Sequence, residues 1–198
     1  MKYKHSGFTL IEISIVLVII GLILGAVMLN GNVPIFNART TSTITLVKDL
    51  SGAVAEFKGR FHYLPGDMPK AGDDIPGIAG TACDIATTTA NIGNGIIDTA
   101  AEKACVAQEL VAAGFVKSQS SFVSPYNGGG TQDTFVVSKT LAAVTTFPNT
   151  VQNVIEVINL PGDAALTIDT KMDDGNLSAG DVRGASGVAA TTTLDIAI

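Results

Sequence analysis

Tryptophan is absent from this 198-residue chain, and aromatic residues make up only 6% of it. Histidine and cysteine are also scarce, with two of each. A sequence with so few large side chains is typical of a modest core with long connections rather than of a large enzyme cavity. No CxxC motif or Cys/His cluster is present, which argues against metal or redox chemistry at the thiols. We predict neither a cofactor nor a metal site.

Basic residues are also few, since 12 Lys and Arg stand against 18 Asp and Glu. Residues 1–7 contain Lys2 and Lys4 and no acid, so the rest of the chain holds 10 basic and 18 acidic residues, a net charge of −8. Phosphate binding needs clustered Lys and Arg, so charge argues against a nucleic-acid partner. The sequence also has no G-x-S-x-G or H-E-x-x-H motif, and we interpret His62 as a structural or surface residue. We predict that the protein is not an enzyme.

The chain does contain a long apolar run, Gly7 to Leu29, in which Glu12 is the only charge. A helix from Phe8 to Leu29 is long enough to cross a hydrocarbon layer roughly 30 Å thick. The basic leader MKYKHSG precedes this run, and the positive-inside tendency predicts a cytoplasmic location for it. No A-x-A-like cleavage site follows Leu29. Hydropathy alone therefore indicates an uncleaved signal anchor.

The first six residues of the run indicate a more specific identity. Gly7-Phe8-Thr9-Leu10-Ile11-Glu12 resembles the processing motif of type IV prepilins and type II secretion pseudopilins. The resemblance implies cleavage between Gly7 and Phe8 by a prepilin peptidase, which then N-methylates Phe8. It also implies a structural subunit that polymerises through its N-terminal helix into a pilus or secretion filament.

Glu12 needs a physical explanation, because an unpaired carboxylate at membrane depth costs at least a few kcal/mol. Cleavage after Gly7 would create an amine one helical turn before this glutamate. The two groups could pair within one chain or between neighbouring chains, and the resemblance implies the second, as an assembly contact. A carboxylate stabilised by the helix dipole and reaching the headgroups remains an alternative.

We predict an α+β fold of the pilin type, in which a long kinked helix packs on a small antiparallel sheet with a short extra helix. Residues 1–7 would be a removable leader, residues 8–29 the transmembrane and filament-core helix, and residues 30–198 an extracytoplasmic domain. The breaker cluster Asn30 to Pro34 predicts the kink. Helix then resumes from Ala38 to about Lys58, with an apolar stripe at three- and four-residue steps. The stripe comprises Ile44, Val47, Leu50, Val54, Phe57 and Phe61.

Local signals place the remaining elements. Leu64 to Asp67 is a turn signature, and Thr99 with Glu102 predicts a capping box for a helix over Ala100 to Ala113, ending at Gly114. Val-, Ile- and Thr-rich runs predict an antiparallel meander, and the last residues are either a strand or a loose tail. The predicted strands are Thr134 to Val137, Ala142 to Phe147 and Val154 to Leu160.

Two further groups of residues are candidate sites. If the extracytoplasmic domain of residues 30–198, called the head below, is exported, Cys83 and Cys105 most simply form a disulfide. Two free buried cysteines remain an alternative. Asp169, Asp173 and Asp174 precede a glycine in an oxygen-rich loop, but Lys171 occupies a would-be ligand position and no closing Glu follows, as an EF-hand would need. A solvated Asp-Gly turn is the preferred interpretation there, although the resemblance implies calcium binding as an alternative, because some pseudopilins hold calcium near their C-terminal loops. The same preference applies to Asn91 to Asp98.

The resemblance also implies the partners and the location. The partners would be the prepilin peptidase and N-methyltransferase, identical or related pilin subunits, an inner-membrane assembly platform and the lipid bilayer. The protein would cross the bacterial inner membrane once, with its head in the periplasm or outside. The alternative function is a membrane-tethered ligand-binding or enzymatic domain that uses the helix only as an anchor.

Overall fold

The computed structural model describes residues 7–29, 32–86, 91–127, 131–138, 142–143, 147–184 and 191–198. The chain divides into two units, Met1–Ala38 and Arg39–Ile198, and each is described by itself. The first unit contains helix α1, Leu10–Leu29, and the start of helix α2, Asn32–Phe61. The second unit contains the rest of α2 and all of the sheet.

Helix α2 begins six residues earlier than the predicted start at Ala38. Pro34 lies in its first turn, where a backbone N–H has no intrahelical acceptor and the missing donor costs nothing. The predicted kink between Asn30 and Pro34 includes residues 30 and 31, which lie outside the described part of the chain.

The predicted apolar stripe of α2 is confirmed. Val47, Leu50, Val54 and Phe57 are buried in the main core, and the two ends of the stripe, Ile44 and Phe61, are partly buried against it. Phe57 also packs on Phe61 and Phe115, with ring centroids 4.6 and 5.9 Å away. The head is thus organised around one face of α2, while the opposite face carries polar and charged residues.

The turn and the extra helix that the sequence predicts are both present. Asp67 N–H donates to the Leu64 carbonyl at 3.1 Å, and Gly66 has φ +87°, which only glycine adopts without strain. A four-residue helix α3, Ala71–Asp74, follows, and helix α4 spans Ala100–Ala112. Thr99 and Glu102 form the predicted capping box. Gly114 comes two residues after α4, with φ +82°.

The sheet has four strands in the order β1-β2-β4-β3, and every neighbouring pair is antiparallel. Strand β1 is Thr134–Ser138 and β2 is Asn153–Leu160, close to their predicted bounds. Strand β3 is Val182–Gly184, and β4, Thr192–Ala197, provides the final strand.

The register places an apolar row and a charged row on opposite faces of this sheet. Residues Val136, Ile155, Ile196 and Val182 align across all four strands and belong to the main core. The adjacent row is Phe135, Glu156, Asp195 and Arg183. Because successive residues of a strand face opposite sides, one face contributes to the main core while the other carries this second row. Lys103 of α4 forms a 2.8 Å salt bridge with Glu156.

Two predictions about this region are wrong. The first is the predicted strand Ala142 to Phe147, whose described residues 142, 143 and 147 are not in a strand. Ala142 and Phe147 instead pack in a small second cluster with Val137 and Val154. Helix α5, Gly162–Met172, lies between β2 and β3, where the sequence predicted an acidic loop and no helix. The signal for α5 was present, because Ala164, Ala165 and Ile168 recur at helical spacing and are buried.

The overall class agrees with the prediction. A long apolar helix is followed by a second helix and a small antiparallel four-stranded sheet. The chain is therefore α+β, consistent with a pilin-like fold.

Candidate functional site

The start of α1 is closed by a reciprocal pair of side chains. Residues 7–9 are not helical, and α1 begins at Leu10. The backbone N–H and the hydroxyl of Thr9 each donate to Glu12 Oε2 at 2.7 Å. In return, Glu12 N–H donates to Thr9 Oγ1 at 3.3 Å. This is a capping box, with Thr9 at the N-cap and Glu12 at the third helical position.

The Thr9 cap was not predicted from the sequence, although T-x-x-E is the sequence signature of a capping box. It shows that Glu12 has hydrogen-bond donors while the leader is still attached. A carboxylate at this position also interacts favourably with the helix dipole. In the uncut chain, the position of Glu12 therefore agrees with the alternative in which the helix dipole stabilises its carboxylate. An assembly role for Glu12 remains a prediction.

The peptide bond between Gly7 and Phe8 lies just before this cap. Both residues are exposed, and 85% of the Phe8 surface is accessible. A Cβ added at Gly7 would meet no atom within 4 Å. The bond therefore lies in a non-helical segment with open surroundings, which is the geometry that an enzyme needs to reach it.

Helix α1 exposes apolar side chains around its whole circumference, from Leu10 to Met28. Residues Leu10–Met28 form the one described helix that is long and apolar enough to cross a membrane. A helix that is apolar on every side needs an apolar environment on every side, either lipid or other protein. Glu12 is its single charge, and it lies in the first turn.

In the head, the Leu64–Asp67 turn is fixed by buried carboxylates. Asp67 is fully buried and accepts backbone N–H bonds from Gly93 at 2.5 Å, Asn94 at 3.2 Å and Gly95 at 2.6 Å. The Asn91–Asp98 segment, for which the sequence suggested a solvated turn, thus surrounds the buried carboxylate of Asp67. Three backbone donors compensate much of the cost of burying that charge.

Two further buried acids of α4 surround the same turn. Glu109 Oε2 accepts the Gly66 N–H at 2.8 Å, whereas Oε1 has no partner. Burial raises the pKa of Glu109 to about 8; the Gly66 hydrogen bond opposes this rise and the charge of Asp67 adds to it. Burial also raises the pKa of Asp67 and of Glu102. The turn therefore packs on α4 through a cluster of acids that includes a protonated Glu109 at neutral pH.

Cys83 and Cys105 form the predicted disulfide, with their Cα atoms 5.3 Å apart. The bond connects the irregular segment after α3 to the middle of α4, and both cysteines belong to the main core. Asp84 supports the same segment, because its carboxylate accepts the N–H of Gly72 at 3.1 Å and of Gly80 at 3.2 Å.

The predicted acidic loop is split between a helix and a turn. Asp169 lies in the last turn of α5, Asp173 caps its C-terminus, and Asp174 follows. One oxygen from each of the three carboxylates lies within 4.8 Å of the others. Lys171 is exposed and forms no salt bridge with any of these three described residues.

The remaining predicted residue, His62, is exposed directly after α2, with φ +64°, and its N–H donates to the Lys58 carbonyl at 2.9 Å. A separate open groove of about 780 Å³ lies between α2 and the segment 115–121. Its charged lining residues are Lys48, Asp49, Glu56 and Lys117, and it brings none of the predicted site residues together.

One comparison with known proteins identifies the N-terminal segment. Residues 2–28 match the family model described as "Prokaryotic N-terminal methylation motif". No curated protein and no solved structure matches the chain. The match covers the leader residues from Lys2, the capped start of α1 and nearly all of its apolar length.

Proposed function

The chain carries the type IV prepilin-like N-terminal signature, and on that premise we propose that it is a filament subunit made as a precursor. The finer proposal is that the mature chain polymerises through α1 into a type IV pilus or a type II secretion-type filament. The observation that carries it is α1 itself, whose side chains are exposed on every side and carry one charge at the capped end.

The apolar surface of α1 is suited to two successive environments, first the lipid bilayer and then the helices of neighbouring subunits. Burying such a helix removes apolar area worth about 25 cal/mol per Å² from water, so α1 has a strong preference for lipid or for other helices. Before assembly, the bilayer of the inner membrane would surround α1, with the leader on the cytoplasmic side and the head outside. In a filament, the α1 helices of neighbouring subunits would replace the lipid.

Processing would prepare α1 for this exchange. A prepilin peptidase would cleave the exposed bond between Gly7 and Phe8 and methylate the new amine of Phe8. The open surroundings of Gly7 support access to this bond. Leader removal also takes away the charges of Lys2 and Lys4, which would otherwise hold this end of the helix at the cytoplasmic surface.

Glu12 would change partners during assembly. In the uncut chain its Oε2 accepts two hydrogen bonds from Thr9, so one carboxylate oxygen has donors without an amine. Cleavage adds a cationic amine at Phe8, and an axial offset between subunits would bring the amine of one chain to the Glu12 of the next. An ion pair in an apolar filament core is stronger than in water, which would set the register of the subunits.

Substitution at Glu12 tests this proposal, because Gln keeps the cap and removes the charge. We expect Glu12→Gln to insert in the membrane and to be cleaved, yet to form few or no filaments in a shearing assay. Thr9→Val is the matched control, since it removes the side-chain cap and keeps the charge. We expect it to weaken the helix start by about 1 kcal/mol and still to assemble.

Normal filaments from Glu12→Gln would contradict the charge-pair role. Mass spectrometry of the native protein tests processing separately. The mature chain should begin at N-methylated Phe8 and lack two hydrogens because of the Cys83–Cys105 bond. A chain that still carries Met1 to Gly7 in cells with an active prepilin peptidase would refute the proposal that it is a precursor.

A membrane-tethered ligand-binding or enzymatic domain remains the alternative. We propose instead a structural protein without catalytic activity, because the prepilin-type motif is a processing and assembly signal. A simple anchor should be indifferent to Glu12→Gln and Glu12→Leu, both of which leave α1 apolar. The same substitutions therefore separate the two functions.

A further inference from the structure

Three successive backbone N–H groups of the loop between α3 and α4 donate to one carboxylate. The N–H groups of Gly93, Asn94 and Gly95 bind the side chain of Asp67 at 2.5, 3.2 and 2.6 Å. Asp67 is 0% exposed, so its carboxylate lies inside the fold. We propose that residues 93–95 form a carboxylate-binding site that the chain fills with its own Asp67. A small external carboxylate would occupy this site when that side chain is removed, independently of filament formation.

The backbone conformation of this loop is that of an anion-binding nest. Asn91, Gly93 and Gly95 have φ of +72°, +80° and +82°, whereas the intervening Ile92 and Asn94 do not have positive φ. This alternation turns successive N–H groups toward one concave side, where their partial positive charges attract an anion. Glycine occupies two of the three left-handed positions without strain. The donors of the site therefore come from the backbone alone.

These backbone donors hold the charge of Asp67 without a cation. In the described part of the chain the salt bridge is Lys103–Glu156, so no described basic side chain pairs with Asp67. Asp98 and Glu102 interact with it electrostatically as like charges. A buried carboxylate is costly unless hydrogen bonds compensate its lost hydration. Because this compensation comes from residues 93–95, their N–H groups are effective anion donors.

Asn153 of β2 holds the loop by contacts that do not involve Asp67. Its Oδ1 accepts the N–H of Ile97 at 3.0 Å, and its Nδ2 donates to the carbonyl of Gly95 at 3.0 Å. Ile97 is fully buried, and its carbonyl accepts the N–H of Ser138 on β1 at 2.8 Å. The sheet therefore fixes the loop directly after the three donors. We expect the nest to keep its shape when the Asp67 side chain is removed.

The arrangement of the donors favours a small carboxylate over other anions. Oδ1 of Asp67 accepts the N–H groups of Gly93 and Asn94, and Oδ2 accepts that of Gly95. A planar anion with two oxygens reproduces this pattern, whereas chloride offers a single centre. Replacing Asp67 by glycine removes a group of the size of acetate from an enclosed position, so formate and acetate fit the space that remains. In the unsubstituted chain Asp67 fills the site, and external carboxylates should not bind there.

Chemical rescue of Asp67→Gly in the purified full chain, in detergent micelles at neutral pH, tests the proposal. In sodium chloride we expect this variant to unfold several degrees below the unsubstituted chain. About 100 mM sodium formate or acetate, at the same ionic strength, should restore at least half of that loss and leave the unsubstituted chain unchanged. Asp133→Gly is the matched control, because Asp133 is equally buried but accepts one backbone N–H, that of Ser124. Carboxylates should not rescue it.

Hydrogen–deuterium exchange and a second variant locate the effect. The N–H groups of residues 93–95 should exchange slowly in the unsubstituted chain, faster in Asp67→Gly, and slowly again when formate is added. Asp67→Asn keeps the shape of the side chain but replaces one acceptor oxygen by a donor, so it should be less stable than the unsubstituted chain. Because its amide group fills the site, formate should not change its stability.

Three results would overturn the proposal: no recovery of Asp67→Gly specific to carboxylates, an equal recovery of Asp133→Gly, or an equal effect of formate on Asp67→Asn. The second and third results would indicate a general effect of these salts on stability. If Asp67→Gly does not fold in sodium chloride, the yield of refolding in formate becomes the measurement, and no refolding in formate would also overturn the proposal.

Discussion

The stability of the head should fall as the pH rises from 6 to 8, because of one buried acid in α4. Glu109 is 0% exposed, and one of its two carboxylate oxygens has no partner. Burial raises the pKa of Glu109 to about 8, whereas an unfolded chain titrates near 4.5. A raised pKa means that the folded state retains a proton that the unfolded state releases. The stability that this proton provides is complete below pH 4.5 and is lost as the pH rises through 8.

The magnitude follows from linkage. Well between the two pKa values the free energy of unfolding falls by about 1.4 kcal/mol per pH unit, and the slope halves where the pH reaches the folded pKa, so the total fall between pH 6 and 8 is about 2 kcal/mol. For a domain of this size, that corresponds to a decrease of roughly 4–8 °C in the unfolding temperature. Asp67 and Glu102 pack around the same turn and burial also raises their pKa values, so each makes the stability fall as the pH rises above its ordinary pKa.

Thermal unfolding of the full chain in a nonionic detergent with EDTA, followed by circular dichroism, measures this slope. Glu109→Gln keeps an acceptor for the Gly66 N–H and cannot ionise, so its unfolding temperature should change far less between pH 6 and 8. Glu56→Gln, an exposed position on α2, is the control and should keep the slope. An unchanged slope in Glu109→Gln, or a flat profile for the unsubstituted chain, would refute the reasoning.

Two further substitutions test the packing of the head. Replacing Cys83 and Cys105 with serine removes the cross-link and should lower the free energy of unfolding by about 3 kcal/mol, as denaturant titration would measure. Gly66→Ala should destabilise the head by about 2 kcal/mol or more, since Gly66 has φ +87° and an added Cβ would lie 2.4 Å from the Glu102 carbonyl oxygen. Gly59→Ala, in α2 with open space around it, should instead stabilise by about 1 kcal/mol. Equal effects of the two glycine substitutions would contradict this account.

Predictions from the sequence were accurate where the controlling interactions are local. The helical stripe of α2 depends on a three- and four-residue period, and the capping box of α4 on a three-residue spacing. The Leu64–Asp67 turn depends on Pro65 and Gly66 themselves. Helix α5 was missed because its acids suggested a loop, although its apolar residues have helical spacing.

The buried acids could not be predicted from local pattern, because their environments come from distant residues. Asp67 is compensated by Gly93 and Gly95, more than 25 residues away in the chain. Glu109 lies on a helix whose sequence gives no sign that one of its acids faces the Leu64–Asp67 turn. The order β1-β2-β4-β3 likewise depends on pairing between strands far apart in sequence.

The sequence by itself determined the apolar character of α1, the position of its single charge and the processing signature before it. These are properties of a continuous segment, and no fold is needed to generate them. Only the tertiary structure decided that Glu109 is buried beside Asp67 and that the carboxylate of Asp169 is buried at the end of α5. The physical reason is that burial and hydrogen bonding depend on which groups the folded chain brings together, whereas hydropathy depends on composition alone.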